Sequence, residues 1–460
     1  MKQAMKHAWK QAGALLLMSS MLVVAACSSG GGASTSTQPQ APAGSTTPAD
    51  NSGSAVKKEV TLSLRHTQIK ETSKTRLKIL EDVVKKTEEK NPGLKIELEG
   101  MDENVNRDQK LKAEMAAGNP PKIFEMFGGA DTKLYVKAGR LLDLTDFLVE
   151  SGLKDKFVNL EEFTVDGRIY GLPIGGYAEG FFYNKKLFAE LGLSVPKTWD
   201  EFIAVNEKLK AAGKVPLALA AKDGWVNAML FNTILERNAG MPAIEGLVSG
   251  THKWTDPEMV KALSDYASLV NADYFTKGAL GLPYSDQGAQ FLRGEAGMVF
   301  TGSWDATRYS GDEAGDLKGQ IGFFPFPAVS GGKGDQTSIN AGYSNGFGFS
   351  KDLTEEQKQM VYAFIKEHFN EEVQKRMLVE DRVLPSMKLS DLSGADPLIT
   401  EVIQTINNAS STWRAYDAVV QPPVKLAVEN SLQELIGKVK TPEQVAERLQ
   451  KEQDKANQSK

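Results

Sequence analysis

Apolar and polar positions alternate in the first part of the chain in a way that predicts a sheet covered by helices. Strands are predicted at 60–64, 94–98 and 123–127, where apolar residues alternate or run together. Helices are predicted at 77–84 and 104–117, where apolar residues recur every three to four positions. The order β-α-β-α-β predicts an α/β fold with a mostly parallel sheet.

The carboxyl ends of these strands are the expected place for a ligand, since open parallel sheets bind ligands at that edge. The three ends are Arg65-His66-Thr67, Gly100-Met101-Asp102 and Phe127-Gly128-Gly129. They bring polar, aromatic and glycine residues to one edge, so His66, Thr67 and Phe127 become candidate ligand contacts.

A second α/β block follows, with a helical region after it. The patterns predict strands at 181–183 and 215–220 and helices at 185–191, 226–238 and 256–271. Asp166-Gly167 predicts a hairpin turn, and Asn184 is a predicted helix N-cap. Capping patterns are predicted at Thr198-Trp199-Asp200-Glu201, Thr255-Asp256-Pro257-Glu258, Thr354-Glu355-Glu356-Gln357 and Thr441-Pro442-Glu443-Gln444. From Thr354 the chain is predicted to be almost wholly helical.

The amino-terminal segment has the pattern of an export signal. Lys2, Lys6 and Lys10 precede an uncharged apolar run at 12–26, which is shorter than the about 20 residues of a spanning helix. Val24-Ala25-Ala26-Cys27 follows and resembles the bacterial lipobox. We therefore predict a signal peptide at 1–26, lipidation of Cys27, and a lipid-anchored protein on the extracytoplasmic face of the cell membrane. Residues 27–56, rich in Ser, Gly, Thr and Pro, are predicted to be a flexible stalk.

Composition narrows the class of protein further. The net charge of −5 becomes more negative when the three leader lysines are removed, which argues against a nucleic-acid partner. The single cysteine is assigned to lipid, so no disulfide and no cysteine-ligated metal is expected. Hydrophobic residues make up 41% of the chain, and the roughly 400 residues after the stalk predict two lobes, since single cores seldom grow past about 300.

The sequence contains little that predicts catalysis. His66, His252 and His368 form no pair at metal-ligand spacing, and there is no Gly-x-Ser-x-Gly motif. The Gly331-Gly332-Lys333-Gly334 stretch lacks P-loop spacing and predicts a surface turn. We therefore expect no enzyme activity, no metal and no cofactor.

Five segments, in order, carry a resemblance to a known family. They are Asp166-Gly167-Arg168-Ile169-Tyr170-Gly171-Leu172-Pro173, Tyr183-Asn184-Lys185-Lys186-Leu187-Phe188, Pro196-Lys197-Thr198-Trp199-Asp200-Glu201-Phe202, Phe291-Leu292-Arg293-Gly294-Glu295-Ala296-Gly297-Met298 and Gly302-Ser303-Trp304. Across residues 59–440 the chain resembles the extracellular sugar-type solute-binding lipoproteins of ABC importers, related to the maltodextrin-binding proteins.

The resemblance implies a two-lobe periplasmic-binding-protein-like fold of type II, with hinge segments and a helical carboxyl-terminal region. Lobe one is expected at 57–176 plus 299–350, and lobe two at 177–298 plus 351–460. The solute would bind between the lobes, and closure about the hinge would present the closed form to a membrane permease on other chains. The protein is expected to be a monomer.

Sugar sites combine flat aromatic rings with hydrogen-bonding groups, which selects the candidate ligand contacts. Trp304 follows a predicted strand at 298–300, and Trp225 follows the strand of the second block; packing inside a core is the competing interpretation of both. The remaining candidates are Tyr177, Phe127, His66, Thr67, Asp131, Glu179, Asp305 and Tyr343. Arg65 or Arg382 would suit an acidic sugar, and Trp413 and Arg414 are weaker candidates from the helical region.

Other functions remain open at this point. A receptor of the same fold for a glycerol phosphate or a polyamine is the nearest alternative, and a surface glycan adhesin or a secreted glycosidase is a more distant one. Basic residues in the cleft would favour an anion and acidic residues a cation, whereas the aromatic candidates favour a sugar.

Overall fold

The computed structural model describes residues 59–459, which belong to one compact unit. The predicted signal peptide, Cys27 and the predicted stalk lie outside these residues. The strands are β1 (Val60–His66), β2 (Leu94–Gly100), β3 (Ile123–Phe127), β4 (Thr164–Val165), β5 (Arg168–Ile169), β6 (Gly171–Pro173), β7 (Gly175–Asn184), β8 (Val215–Ala218), β9 (Ala296–Gly302), β10 (Ile321–Phe324), β11 (Ile339–Gly342), β12 (Asn345–Phe349), β13 (Leu384–Pro385) and β14 (Thr412–Trp413).

Helices cover both sheets. They are α1 (Lys74–Lys90), α2 (Glu103–Val105), α3 (Leu111–Ala117), α4 (Ala130–Lys137), α5 (Thr145–Glu150), α6 (Lys185–Glu190), α7 (Trp199–Ala211), α8 (Gly224–Ala239), α9 (Met241–Ser249), α10 (Pro257–Asn271), α11 (Tyr284–Leu292), α12 (Ala306–Ser310), α13 (Glu355–His368), α14 (Glu371–Val379), α15 (Pro397–Asn408), α16 (Pro422–Ile436) and α17 (Pro442–Gln458). A π-helical turn at Asn106–Lys110 joins α2 to α3, so the helix predicted at 104–117 is interrupted.

Two sheets form the centres of two lobes, as predicted. The sheet of lobe one has the order β2-β1-β3-β12-β6, and the sheet of lobe two has the order β14-β11-β7-β9-β8. In lobe one β1 pairs in parallel with β2 and β3, whereas β12 runs antiparallel to β3 and β6. The parallel arrangement predicted from the first half of the chain is therefore confirmed for three strands, and strands from later in the sequence complete the sheet.

Local signals in the sequence account for several element boundaries. The capping boxes at Thr198, Thr354 and Thr441 are all present, and the Asn184 side chain accepts from the Leu187 N–H. Asp166 and Gly167 adopt φ values of 50° and 78° in the β4–β5 hairpin, the left-handed conformation that a type I′ turn requires.

The predicted capping pattern at Thr255 is wrong. Asp256 is the N-cap of α10, and its carboxylate accepts from the Lys253 N–H in the preceding turn instead of from the helix. The carboxylate of an Asp beside a turn often accepts a hydrogen bond from a nearby backbone N–H, and it is then not available to cap the helix.

The packing differs from the predicted lobe ranges at two places. Helices α13 and α14 pack on the core of lobe one through Val361, Phe364 and Met377. Strands β10 and β11, by contrast, pair with β7 in lobe two. Apolar periodicity predicts where each helix or strand lies in the sequence, but not which sheet it joins or covers. The sequence alone therefore did not show that these elements belong to the other lobe.

Aromatic packing is dense at the centre of lobe two. The ring of Phe181 lies 4.9 to 5.9 Å, between centroids, from the rings of Phe202, Phe300, Phe324 and Phe326. Each aromatic pair of this kind contributes about 0.5–1.5 kcal/mol beyond area burial. This cluster fixes β7 and β9, and both strands lead to the edge of the sheet that faces lobe one.

Three chain segments connect the two sheets, at 173–175, 342–345 and 380–384. They pack directly on each other because Gly175 and Gly176 carry no side chains. A Cβ on Gly176 would lie 2.7 Å from Tyr343 Cε1, and a Cβ on Gly175 would overlap Val383. The hinge is therefore built from close backbone contacts.

Candidate functional site

Trp304 is held at the end of β9 with part of its indole exposed. The ring folds back over Gly302, where a Cβ would overlap it, so the glycine of Gly302-Ser303-Trp304 is required sterically. Trp304 Nε1 donates to Tyr284 Oη at 2.7 Å, and Tyr284 Oη donates to Asp305 Oδ2 at 2.6 Å. The side chain is nevertheless 38% exposed, so it is a fixed aromatic surface and not a core residue.

Tyr284 connects the two predicted tryptophans. Its ring centroid lies 4.6 Å from that of Trp225, and its hydroxyl accepts the Trp304 bond. Tyr284 begins α11 after Pro283, and its backbone N–H donates to Asp223 Oδ2 at 3.0 Å. The sequence analysis missed this residue because nothing local marks it, although Trp225 and Trp304 were both selected.

Polar groups lie on the strands next to this aromatic surface. The Tyr177 ring is 5.9 Å from that of Trp304, and its hydroxyl is 3.4 Å from Asn340 Oδ1. Asn340 Nδ2 donates to Glu179 Oε2 at 2.8 Å, and Trp413 is the register partner of Asn340 on the next strand. Burial, assisted by the negative charge of Asp417, raises the pKa of Glu179 to about 8.

Lobe one contributes a second group of side chains. The guanidinium of Arg107 stacks 3.8 Å from the centroid of Phe127, and its Nε is 3.6 Å from Asp131. Glu162 lies behind the Gly128–Gly129 turn and is only 7% exposed. Arg107 and Glu162 were not predicted; both approach the predicted Phe127 end of β3 from distant positions in the sequence.

Other predicted residues have different surroundings. His66 is 5% exposed, and its Nδ1 accepts from the Gln68 N–H. The Thr67 hydroxyl donates to Glu125 Oε2 at 2.6 Å, inside lobe one. Tyr343 packs in the hinge. His66 and Thr67 are therefore not brought together with the aromatic surface of lobe two, whereas Tyr343 lies against Gly176, next to Tyr177 in the chain.

The two arginines suggested for an acidic sugar are engaged in ion pairs. Arg65 is 3% exposed and its guanidinium pairs with Glu99 and Glu114, with an Nη2–Oε1 distance of 2.9 Å to Glu114. Arg382 lies 3.4 Å from Asp396. Neither is a free anion-binding group.

The lobes meet along a line beside the hinge. A Cβ on Gly129 of lobe one would lie 3.7 Å from the Cβ of Ala418 of lobe two, and Arg414 is 4.0 Å from Glu161. The Glu161 and Glu162 carboxyl groups therefore lie where the lobes approach. Glu162 is close to the hydroxyl of Tyr177, whose ring contacts the partly exposed Trp304. This combination can stack on the apolar face of a ring compound and accept hydrogen bonds from its edge.

Two α/β lobes joined by a packed hinge, with aromatic and carboxyl side chains beside the hinge, are the arrangement of a solute-binding protein. Within residues 59–459, we find no helix with the length and hydropathy needed to cross a membrane. The family model for bacterial extracellular solute-binding proteins matches residues 71–375, and the chain belongs to that family.

Relatives and solved structures agree with this family. The chain is 27% identical over 261 residues to the multiple sugar-binding protein of Streptococcus mutans serotype c, covering 55% of this chain and 60% of that protein. It is 25% identical over 240 residues to the xylose/arabinose-binding protein XacG of Haloferax volcanii, covering 50% of this chain and 51% of that one. The match thus spans little more than half the length of these curated relatives.

Similarity to solved structures extends further along the chain. A chitin oligosaccharide binding protein is 49% identical, covers 86% of this chain and 99% of its own, and superposes with a TM-score of 0.81. The maltose-bound MalE3 of T. maritima, 20% identical with a TM-score of 0.71, shows the fold alone.

Proposed function

We propose that this protein is the receptor of an ABC importer for carbohydrates, and that its solute is an oligosaccharide of the chitin class. The observation that carries the proposal is the indole of Trp304, fixed by Tyr284 and left 38% exposed beside Tyr177. A sugar ring stacks on such a surface through its C–H face. The 49% identity to a chitin oligosaccharide binding protein supports the choice of sugar.

The proposed ligand contacts come from both lobes. Trp304, Trp225, Tyr177, Glu179 and Asp305 would form the lobe-two side. Phe127 and Asp131 would face them from lobe one. His66, Thr67 and Tyr343, which were selected from the sequence, would act from behind these contacts, in the interior of lobe one and in the hinge.

Binding would be followed by delivery without chemical change. A sugar held by both lobes stabilises the closed form relative to the open form, and only that difference in affinity drives closure. The partner would be an ABC permease on other chains, and the receptor would act as a monomer. The motif Val24-Ala25-Ala26-Cys27 supports a lipid anchor at Cys27 on the extracytoplasmic face of the cell membrane.

The proposal is tested by thermal unfolding of the purified protein with chitin, xylan and malto-oligosaccharides, with glycerol phosphate and a polyamine as non-sugar controls. A ligand at a hundredfold excess over its Kd adds about 2.7 kcal/mol of stability. We expect chitin oligosaccharides to raise the Tm of the wild type and of the control Val439→Ala, whose side chain is 69% exposed. The increase should be lost in Trp304→Ala. Stabilisation by a non-sugar control alone would refute the sugar assignment.

A further inference from the structure

The backbone of Glu162 packs tightly against the Gly128–Gly129 turn, where a side chain on Gly128 would not fit. It lies in the 3-10 turn Glu161–Phe163 of lobe one, and its carbonyl oxygen accepts from the Gly129 N–H at 2.7 Å. A Cβ on Gly128 would lie 2.6 Å from the Glu162 Cβ, so glycine at this position admits the glutamate. The turn thus fixes an acidic residue at the carboxyl end of β3.

The carboxyl group of Glu162 is buried and incompletely bonded. The residue is 7% exposed, and its Oε2 has no hydrogen-bond partner in the part of the chain that the structure describes. Arg414, a nearby cation, lies 4.0 Å from a Glu161 carboxyl oxygen and makes no hydrogen bond to Glu162 Oε2. Burial raises the pKa of Glu162 to about 7, with Asp417 and Glu161 raising it and Arg414 and Arg107 lowering it. A buried carboxyl without a partner destabilises the folded protein, so its presence calls for a functional reason.

The same carboxyl borders the proposed sugar site. Glu162 Oε1 and Tyr177 Oη both lie 3.2 Å from the position that a Cβ would take on Gly342, and Tyr177 in turn contacts the Trp304 ring. Glu162 Oε2 and Ala418 of lobe two both approach Gly129, at 3.6 and 3.7 Å from a Cβ placed there. The carboxyl therefore lies at the meeting line of the lobes, next to the aromatic surface.

We infer that Glu162 is a specificity-determining residue of this site, and that its carboxyl accepts a nitrogen-bound hydrogen at C2 of a hexosamine unit. The inference rests on the proposed function. An amide N–H or an ammonium group only donates hydrogen bonds, and such a donor favours the ionised, acceptor-only form of a carboxyl whose pKa is raised to about 7. The C2 hydroxyl of a neutral hexose both donates and accepts, so Glu162 favours the nitrogen without excluding the hydroxyl. In the closed form the nitrogen-bound hydrogen of the sugar would donate to Glu162 Oε2, which otherwise lacks a hydrogen-bond partner. Recognition of the nitrogen would therefore favour the closed form.

Two sugar substituents share this chemistry, namely the acetamido group of chitin and the free ammonium group of its deacetylated form. Titration calorimetry with three β-1,4-linked disaccharides separates them: N,N′-diacetylchitobiose, its deacetylated counterpart and cellobiose, which differ at C2. We expect the wild type to bind at least one nitrogen-bearing disaccharide more tightly than cellobiose. The one that it prefers identifies the substituent.

Substitution of the glutamate then tests its role. We expect Glu162→Ala to weaken the preferred nitrogen-bearing disaccharide by roughly 10- to 100-fold, the loss that follows removal of a hydrogen bond to a charged group. Its affinity for cellobiose, whose C2 hydroxyl can turn to other partners, should fall by less. Glu162→Gln keeps the shape and one acceptor oxygen, so it should fold like the wild type and retain part of the discrimination. The control is Glu150→Ala, which removes an exposed carboxyl at the end of α5 in lobe one and should discriminate like the wild type.

Two other results would overturn the inference in different ways. If the wild type binds chitin disaccharides and Glu162→Ala weakens all three sugars equally or none of them, the specificity role is wrong and the proposed function stands. If the wild type binds none of the three disaccharides and also fails to bind chitin oligosaccharides of greater length, the proposed function itself fails.

Discussion

Glu179 allows a direct physical test of the site, because its carboxyl is buried and few neighbouring groups stabilise its ionised form. It is 7% exposed, and its Oε2 accepts from Asn340 Nδ2 at 2.8 Å. Burial and the charge of Asp417 raise its pKa from 4.5 to about 8. We consider Glu179→Gln, which keeps the shape of the side chain and an oxygen that can accept from Asn340 but cannot ionise.

The sign and the size of the effect follow from the raised pKa. Between pH 4.5 and about 8 the folded state binds a proton that the unfolded state has lost, so the free energy of unfolding falls as the pH rises through this window. The loss is about 1.4 kcal/mol for each pH unit, which sets an upper limit of about 5 kcal/mol at the end of the window. Glu179→Gln removes this loss, so the variant should be more stable than the wild type at alkaline pH and should gain little in acid.

Urea unfolding followed by tryptophan fluorescence, at about pH 5, 7 and 9, measures the effect as a change in the unfolding midpoint. The control is Glu150→Gln, which removes an exposed acid at the end of α5 and should keep the pH dependence of the wild type. If Glu179→Gln loses stability between pH 5 and 9 as steeply as the wild type does, Glu179 does not have the raised pKa on which the reasoning depends.

Three further substitutions test other contacts. Tyr284→Phe removes the hydroxyl that holds Trp304, so we expect roughly tenfold weaker sugar binding by calorimetry and a changed tryptophan emission. Gly171→Ala places a Cβ 2.5 Å from Phe163 Cδ1, and we expect a loss of about 1–3 kcal/mol in urea unfolding. Thr441→Ala removes the capping box of α17, and we expect a loss of about 1 kcal/mol in the same assay.

Controls make these outcomes specific. Gly281→Ala adds a methyl group where no atom lies within 4 Å, so it should leave the unfolding midpoint almost unchanged. Equal effects of the two glycine substitutions would contradict the packing argument. Unchanged sugar affinity in Tyr284→Phe would show that Trp304 needs no support from the hydroxyl. An unaltered midpoint in Thr441→Ala would mean that the capping box contributes nothing measurable.

The elements with strong local signals were predictable from sequence. Alternating Val60, Leu62 and Leu64 indicated β1, and Thr198 with Glu201 indicated the start of α7; both are confirmed. Such signals act within a few residues, where backbone geometry and capping decide the structure. The family resemblance identified Trp304 through the short motif Gly302-Ser303-Trp304, which includes the glycine that the indole covers.

Contacts between distant segments were not predictable. Tyr284 reaches Trp304 from 20 residues away, and neither its neighbours nor its spacing marks it. Glu162 enters the site because glycines at 128 and 342 admit it, which requires three separate segments to meet. His66 was selected because it ends a strand, and its burial against Gly100 depends on a distant segment that the local sequence does not mark.

The central claim is most directly tested by calorimetric titration of the purified protein with a chitin oligosaccharide, alongside Trp304→Ala. We expect saturable binding of about one ligand per chain by the wild type and a large loss of affinity in the variant. No binding of any carbohydrate by the folded wild type, or equal affinity in Trp304→Ala, would contradict it.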